Sequence, residues 1–598
     1  MRVPRATYRL QLGPGLTFDD AAALVDYLDA LGVSDAYTSP FLETAARGSH
    51  GYDVADHDRL RAELGGEPAF QRLAAALGAR GMGLLVDVVP NHMGIAQNRN
   101  AWWHDVLENG PASPYASTFD IDWRPVKTEL TDKVLLPVLG DQYGAVLDRG
   151  ELKLVLEDGC FLLRYFDAVL PIAPRAWSRI LGHRIDAPER ASEADRRERL
   201  DFVMRFQQIT GPVTAKGFED TALYRFNRPV SLNEVGGDPS RFGVTLAEFH
   251  AEHTARARRS PHALSATATH DTKRGEDHRA RINVLSEIPE EWRRHVARWQ
   301  RLNRRQRTMV DGRAVPGANT EYLIYQTLVG AWPVDLARLR EYLLKAVHEA
   351  KTHTSWINPD VRYDEAIVAF AEALLDPTRS QAFLDDFTAF QARVAHFGTL
   401  NSLAQTLIKI TAPGVPDFYQ GTELWDLSLV DPDNRRPVDW ALRRRLLGEL
   451  ERALASTSDR AGFAFGLFKE KEDGRVKLYI IREALALRRA RPTLIAAGDY
   501  RALEARGALA EHLCAFARVG ADGAALTVVP RLLARRGLEA PPLGREYWED
   551  TTLVVPVDLG VRFVDAFTGE PLEARDDALP LGDVLAHFPV ALLGSDPR

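Results

Sequence analysis

Cysteine is almost missing from this chain: two occur in 598 residues, Cys160 and Cys514. Two thiols so far apart in sequence suggest neither a disulfide framework nor a thiolate metal site, and a reducing compartment suits them. Basic excess is missing too. Seventy-five Lys and Arg face 83 Asp and Glu, a net charge of −8, which announces no basic face and makes nucleic acid an unexpected partner. No apolar run approaches the ~18 residues of a membrane span, and Met1 to Tyr8 leads into strand-like sequence without a signal-type apolar stretch. These absences predict a cytoplasmic protein with no membrane partner. Internal repeats and low-complexity linkers are also lacking, and the length exceeds what one core serves, so two or three globular domains are expected.

The most informative stretch is Gly83-Leu-Leu-Val-Asp-Val-Val-Pro-Asn-His-Met93. An apolar run of strand length, ended by Pro and followed by polar side chains, reads as a strand buried on both faces that delivers Asp87, Asn91 and His92 to its C-terminal end. That end is where (β/α) barrels keep their chemistry. Before it, Ala6 to Leu12 reads as a strand, Phe18 to Leu31 as an amphipathic helix, Ala36 to Pro40 as a second strand and Phe70 to Arg80 as a second helix. This alternation opens a parallel α/β barrel. The intervening loop, Gly48-Ser-His-Gly-Tyr-Asp-Val-Ala-Asp-His57, offers Tyr52 as an aromatic platform of the kind that suits a sugar's C–H face.

Further on, 94–200 reads as an inserted subdomain with hairpin-like sequence at Leu152 to Arg164. Leu264-Ser-Ala-Thr-Ala-Thr-His-Asp-Thr-Lys-Arg274 drops a second His-Asp pair, His270 and Asp271, from a strand-like run. Helical pattern fills Ile288 to about Leu375. The last barrel-strand candidate lies in Ala412 to Trp425, and short alternating runs after Pro492 predict a separate all-β domain. The partition expected is 1–93 for the first part of the barrel, 94–200 for the insertion, 201–491 for the rest of the barrel with a helical insertion, and 492–598 for a C-terminal β-sandwich.

Asp87-Val-Val-Pro-Asn-His92 resembles the first signature of the α-amylase clan of glycoside hydrolases, and Thr269-His-Asp271 its fourth. Longer stretches resemble the maltooligosyl trehalose synthase family: Gly48 to Val54, Phe206 to Ala222, Val230-Ser-Leu-Asn-Glu-Val-Gly-Gly-Asp-Pro239, His353-Thr-Ser-Trp-Ile-Asn-Pro359 and Thr411 to Asp426. The resemblance implies a (β/α)8 barrel and a cofactor-free intramolecular transglycosylation, in which the reducing-end α-1,4 bond of a maltooligosaccharide becomes an α,α-1,1 bond. It also implies roles. Asp271 matches the carboxylate that stabilises the oxocarbenium-like transition state, His92 and His270 the histidines that bond sugar hydroxyls, Asp87 and Asn91 the braces of the rim, and Tyr52 the ring beneath the sugar. All are expected at one mouth of the barrel.

Two signatures of that family are absent. Retaining chemistry needs a nucleophile and an acid, which the family carries in Gly-Leu-Arg-Ile-Asp-His-Pro-Asp-Gly and Val-Glu-Lys-Ile-Leu runs; neither occurs between the insertion and Phe206. An internal block is expected to be missing, leaving the barrel incomplete in its middle strands. Asp186, in Arg184-Ile-Asp186, and Glu219, in Lys216-Gly-Phe-Glu-Asp220, are the remaining candidates for nucleophile and acid. A glucan-binding protein without turnover and an α-glucan hydrolase stay open as alternatives, as does a helix-capping role for Asp271.

Overall fold

The computed structural model describes residues 2–595 except 46–50, 90–92, 95–99, 125–130, 135, 137–145, 147, 158–159, 167, 173–213 and 522. The chain divides into two compact units: Met1–Arg9, Asp26–Ala36 and Phe202–Arg598 form the first, Leu10–Val25 and Tyr37–Asp201 the second.

The first unit is built on parallel strands. Thr7–Leu10, which begins in this unit, pairs with Val415–Tyr419 in the register Thr7 to Asp417, and Val415–Tyr419 pairs on its other side with Leu264–Ala266, Val415 facing Leu264. Parallel neighbours require long crossovers, and here these are mostly helical. Helices Glu276–Val284, Pro289–Leu302, Ala318–Ala331, Leu336–Ala350, Val361–Leu375 and Pro377–Thr411 fill the span between Leu264–Ala266 and Val415–Tyr419. A small hairpin, Thr308–Val310 with Arg313–Val315, interrupts the helical run that the sequence predicts there. Polar ties fix the first strand in place: Thr7 Oγ1 donates to Asp417 Oδ1 at 2.6 Å, and Tyr8 and Tyr27 donate to the fully buried Glu423 at 2.8 and 2.9 Å. Burial first, and the Glu423 charge next, raise both tyrosine hydroxyls well above their ordinary pKa, so they stay protonated donors.

Beyond the helix Pro492–Ala497 the elements are mainly antiparallel strands. Asp499–Leu503, Leu513–Gly520, Gly523–Pro530, Ala591–Ser595, Arg562–Asp565 and Pro571–Glu573 form a six-stranded sheet in that order; Ala505–Arg506, Thr552–Val554 and Ala578–Pro580 form a three-stranded one. Thr527 Oγ1 bonds Thr411 Oγ1 at 2.8 Å, tying this sheet to the end of the helix Pro377–Thr411.

In the second unit the helix Gly66–Ala79 leads into the strand Gly83–Val86. The helix begins four residues before the apolar pattern that announces it, because Gly65, at φ +103°, supplies the left-handed turn that opens it. The expected hairpin is present and larger than read: Leu152–Glu157, Cys160–Tyr165 and Ala168–Pro171 form an antiparallel three-stranded sheet. Among the described residues no helix is long and apolar enough to cross a membrane.

Candidate active site

Asp271 sits in the loop between the strand Leu264–Ala266 and the helix Glu276–Val284. The loop closes on itself: Asp271 N donates to Thr269 Oγ1 at 3.2 Å, and Thr272 Oγ1 donates to Thr269 O at 2.9 Å. Asn434 Nδ2 holds the loop from outside through His270 O at 2.9 Å. The His270 and Asp271 side chains meet, Nε2 to Oδ2, at 3.1 Å, with the Asp271 carboxylate 58 % exposed. Burial pushes this carboxyl up, but the His270 hydrogen bond and charge, with Arg435 and Lys273, outweigh it and the net shift is downward. Asp271 is therefore an exposed anion held beside an imidazole, suited to stabilising positive charge and accepting hydroxyls. The helix-capping alternative fails, since the residue before that helix is Gly275. A side chain there would collide with Asp426, about which Gly275 turns; its Cβ would lie 2.6 Å from the Asp426 carbonyl oxygen.

Lys273, two residues on, binds carboxylates from two motifs that sequence reasoning quoted without giving them a role. Its backbone N–H donates to Glu234 Oε1 at 2.6 Å and its ammonium to Asp220 Oδ1 at 2.9 Å. Glu219, weighed as the acid, accepts the Gly236 N–H at 3.1 Å from the π-helix Thr214–Ala222. The signal available beforehand was only that each family-like motif contained a carboxylate. Pairing them needed coordinates.

Behind the loop lies a buried charge cluster. Lys477 Nζ reaches Glu276 Oε1 at 2.6 Å and Asp277 Oδ2 at 2.8 Å, and Lys409 Nζ lies 3.5 Å from Glu276 Oε2 and 2.9 Å from Thr267 Oγ1. Thr267 also bonds Glu276, and Ser402 bonds Asp277. Burial opposes ionisation of Glu276, yet the two lysines win and bring its carboxyl below the ordinary value. Asp277 moves up instead, through burial, despite Lys477 and with Glu276 adding to the rise. The cluster clamps both ends of the Asp271 loop, Thr267 on one side and Glu276 on the other.

In the second unit, Tyr52 Oη donates to Asp87 Oδ2 at 2.6 Å, and Asp87 N donates to Thr38 O at 3.2 Å. Asp87 follows directly on Gly83–Val86, as expected of a residue at a strand's C-terminal end. Its carboxylate orients the tyrosine. Asn91, His92 and Asp186 lie outside the described residues. No group of three or more His, Cys, Asp or Glu able to hold a metal occurs among the described residues.

Comparison with known proteins bears on what this loop belongs to. The α-amylase catalytic-domain family model matches residues 21–143. A protein of Mycobacterium tuberculosis named as a maltooligosyl trehalose synthase is 30% identical over an alignment that covers 99% of each chain. The chain belongs to the maltooligosyl trehalose synthase family. A solved structure of maltooligosyltrehalose synthase from Arthrobacter ramosus superposes with a TM-score of 0.79 at 30% identity, covering 99% of this chain and 100% of that one. The fold is thus of the α-amylase type. The alignment with the mycobacterial relative runs over 816 positions while this chain has 598 residues, so at least 218 of them have no counterpart here. That shortfall accords with the missing internal block.

Proposed function

We propose that this chain acts on maltooligosaccharides in the reaction of its family, turning the reducing-end α-1,4 linkage into an α,α-1,1 linkage by intramolecular transglycosylation. The observation that carries this is Asp271: an exposed anion beside His270, in the loop that follows a parallel strand, in a chain related to the synthases along 99% of its length. In this reading Asp271 stabilises the oxocarbenium-like transition state, while Tyr52, Asp87, Asn91, His92 and His270 bind the sugar. The reaction proceeds in the cytoplasm and needs neither metal nor cofactor. The barrel lacks middle strands, 94–200 is an inserted subdomain, and 492–598 is a β-sandwich that takes no part in the chemistry.

Asp271 alone can neither form a glycosyl-enzyme nor protonate a leaving oxygen. Turnover falls to Asp186 and Glu219, and it should be slow, at least about a thousandfold below a full-length relative, since acid–base and covalent terms contribute on that scale. The test is purified protein with maltopentaose, following loss of reducing ends. Slow loss that Asp271→Asn abolishes fits the proposal, and release of new reducing ends would replace it with hydrolysis. A second reading, glucan binding without turnover, is favoured by the 218 or more unmatched positions; binding with no product of either kind would select it.

A further inference from the structure

The motif His353 to Pro359 has no part in the site above, yet it builds a surface of its own. Thr354 is buried and accepts the Asp360 N–H at 3.0 Å, and Ser355 Oγ accepts the Asn358 N–H at 3.0 Å, which fixes the loop. Trp356 rides on this loop, 57 % exposed, but it does not swing free. Its indole N–H donates to Glu349 Oε1 at 3.1 Å, and its ring meets the His348 ring edge-on, centroids 4.5 Å apart at 80°. His348 is itself held by Asp364, Nε2 to Oδ2, at 2.8 Å. An exposed tryptophan with so many restraints has already lost the rotamer freedom that binding would otherwise cost.

Trp356 lines a cavity of about 740 Å³ between the helices Leu336–Ala350 and Val361–Leu375. That size falls inside the roughly 300–1,000 Å³ typical of small-ligand sites. Its lining has two characters. Trp356, Leu344, Val361 and Val368 give apolar surface, while Glu341, Asp364, Glu365 and Glu372 outnumber Arg340 and Lys345. A surplus of carboxylates repels phosphorylated or otherwise anionic ligands. Rings that offer C–H faces to an indole and hydroxyls to carboxylates, with no charge of their own, match both halves of the lining.

We propose that this cavity is a binding site for neutral α-glucan chains, with Trp356 as its stacking platform, separate from the Asp271 loop. The choice of glucan rests on the proposed function; the chemistry of the lining supports a neutral polyol in its own right. Pro432 also lines the cavity, two residues before the Asn434 that holds His270. The site thus borders the loop that braces the Asp271 segment.

Calorimetric titration with maltoheptaose tests this without any turnover, while the maltopentaose product assay separately scores the reading above. Measured in an Asp271→Asn background, Trp356→Ala should weaken maltoheptaose binding about tenfold, since it removes both the stacking face and the apolar area that the sugar would cover. Trp356→Phe should restore most of it, and Glu365→Gln should weaken it less. Equal affinity in Trp356→Ala and its parent would overturn the proposal. So would a Trp356→Ala change that alters only the sedimentation coefficient, which would mark the patch as a contact between copies of the chain.

Discussion

Val415–Tyr419 and Leu264–Ala266 are paired neighbours in one parallel sheet, yet their surroundings differ completely. All five residues of the first are buried, as are those of Thr7–Leu10 on its other side, whereas Leu264 and Ala266 are exposed. Parallel strands are ordinarily covered on both faces. The sheet is covered on the Thr7 side and open at Leu264–Ala266, the strand that leads into the Asp271 loop. In the second unit, Val86 and Val88 are exposed around Asp87 in the same way. Exposed apolar residues thus precede Asp271 in one unit and flank Asp87 in the other, while Thr7–Leu10 and Val415–Tyr419 are covered.

Four experiments would break or sharpen that contrast. The largest effect is expected from Lys477→Met, which leaves Glu276 and Asp277 buried without their shared partner; breaking such a cluster costs about 3–5 kcal/mol, readable in urea melts. Hydrogen exchange should then show opening at Thr267 to Glu276 before Val415 to Tyr419. A paired truncation compares the strands directly. Phe418→Ala removes a fully buried ring that Lys409 overlies at 4.2 Å and should cost about 3–5 kcal/mol, while Leu264→Ala, on a side chain 40 % exposed, should cost under about 1 kcal/mol. Similar costs at the two sites would show the open strand to be covered after all. Next, Leu264→Lys should lower self-association measured by light scattering, because a charge on an open edge opposes strand pairing.

The smallest effect concerns pH. His253 is pushed down to about 4, chiefly by burial and then by Arg256, His250 and Arg518, where the helix Leu246–Arg259 meets the strand Asp499–Leu503 through His250 Nδ1 and Tyr500 Oη at 2.7 Å. A depressed histidine pKa means that protons bind the unfolded chain more readily. Stability from this group is full above about pH 6.5 and declines as pH falls toward 4. His253→Gln should flatten that limb of the denaturation profile.

The elements that could be read in advance were those with local patterns. The amphipathic helix Phe18–Leu31 and the alternating runs after Pro492 carry their period within a dozen residues, and the apolar run before Asp87 gives a strand, though one half-buried to exposed rather than covered on both faces. Asp271 was legible for the same reason, as a polar break at the end of a strand-like run. What stayed hidden depends on residues distant in sequence: Lys477 is 200 positions from Asp277, and neither lysine of that cluster sits in a motif that suggests a partner. Tyr52 illustrates the limit of such a reading, since its hydroxyl is committed to Asp87, a partner 35 positions away that its own motif does not announce. Trp356 belongs to a quoted motif, but only its packing on His348 distinguishes a held platform from a loose surface indole.

The bond from Thr7 to Asp417 spans 410 positions of chain, and it closes the covered side of the sheet. During synthesis at about 5–20 residues per second, Thr7–Leu10 emerges and then waits roughly 20–80 s for Val415–Tyr419, its neighbour on that side, to be made. Throughout that interval the apolar residues of Thr7–Leu10 are available to chaperones or to other nascent chains. Thr7–Leu10 is thus made long before its Val415–Tyr419 side can be covered, and the yield of folded protein should respond to translation speed and chaperone supply.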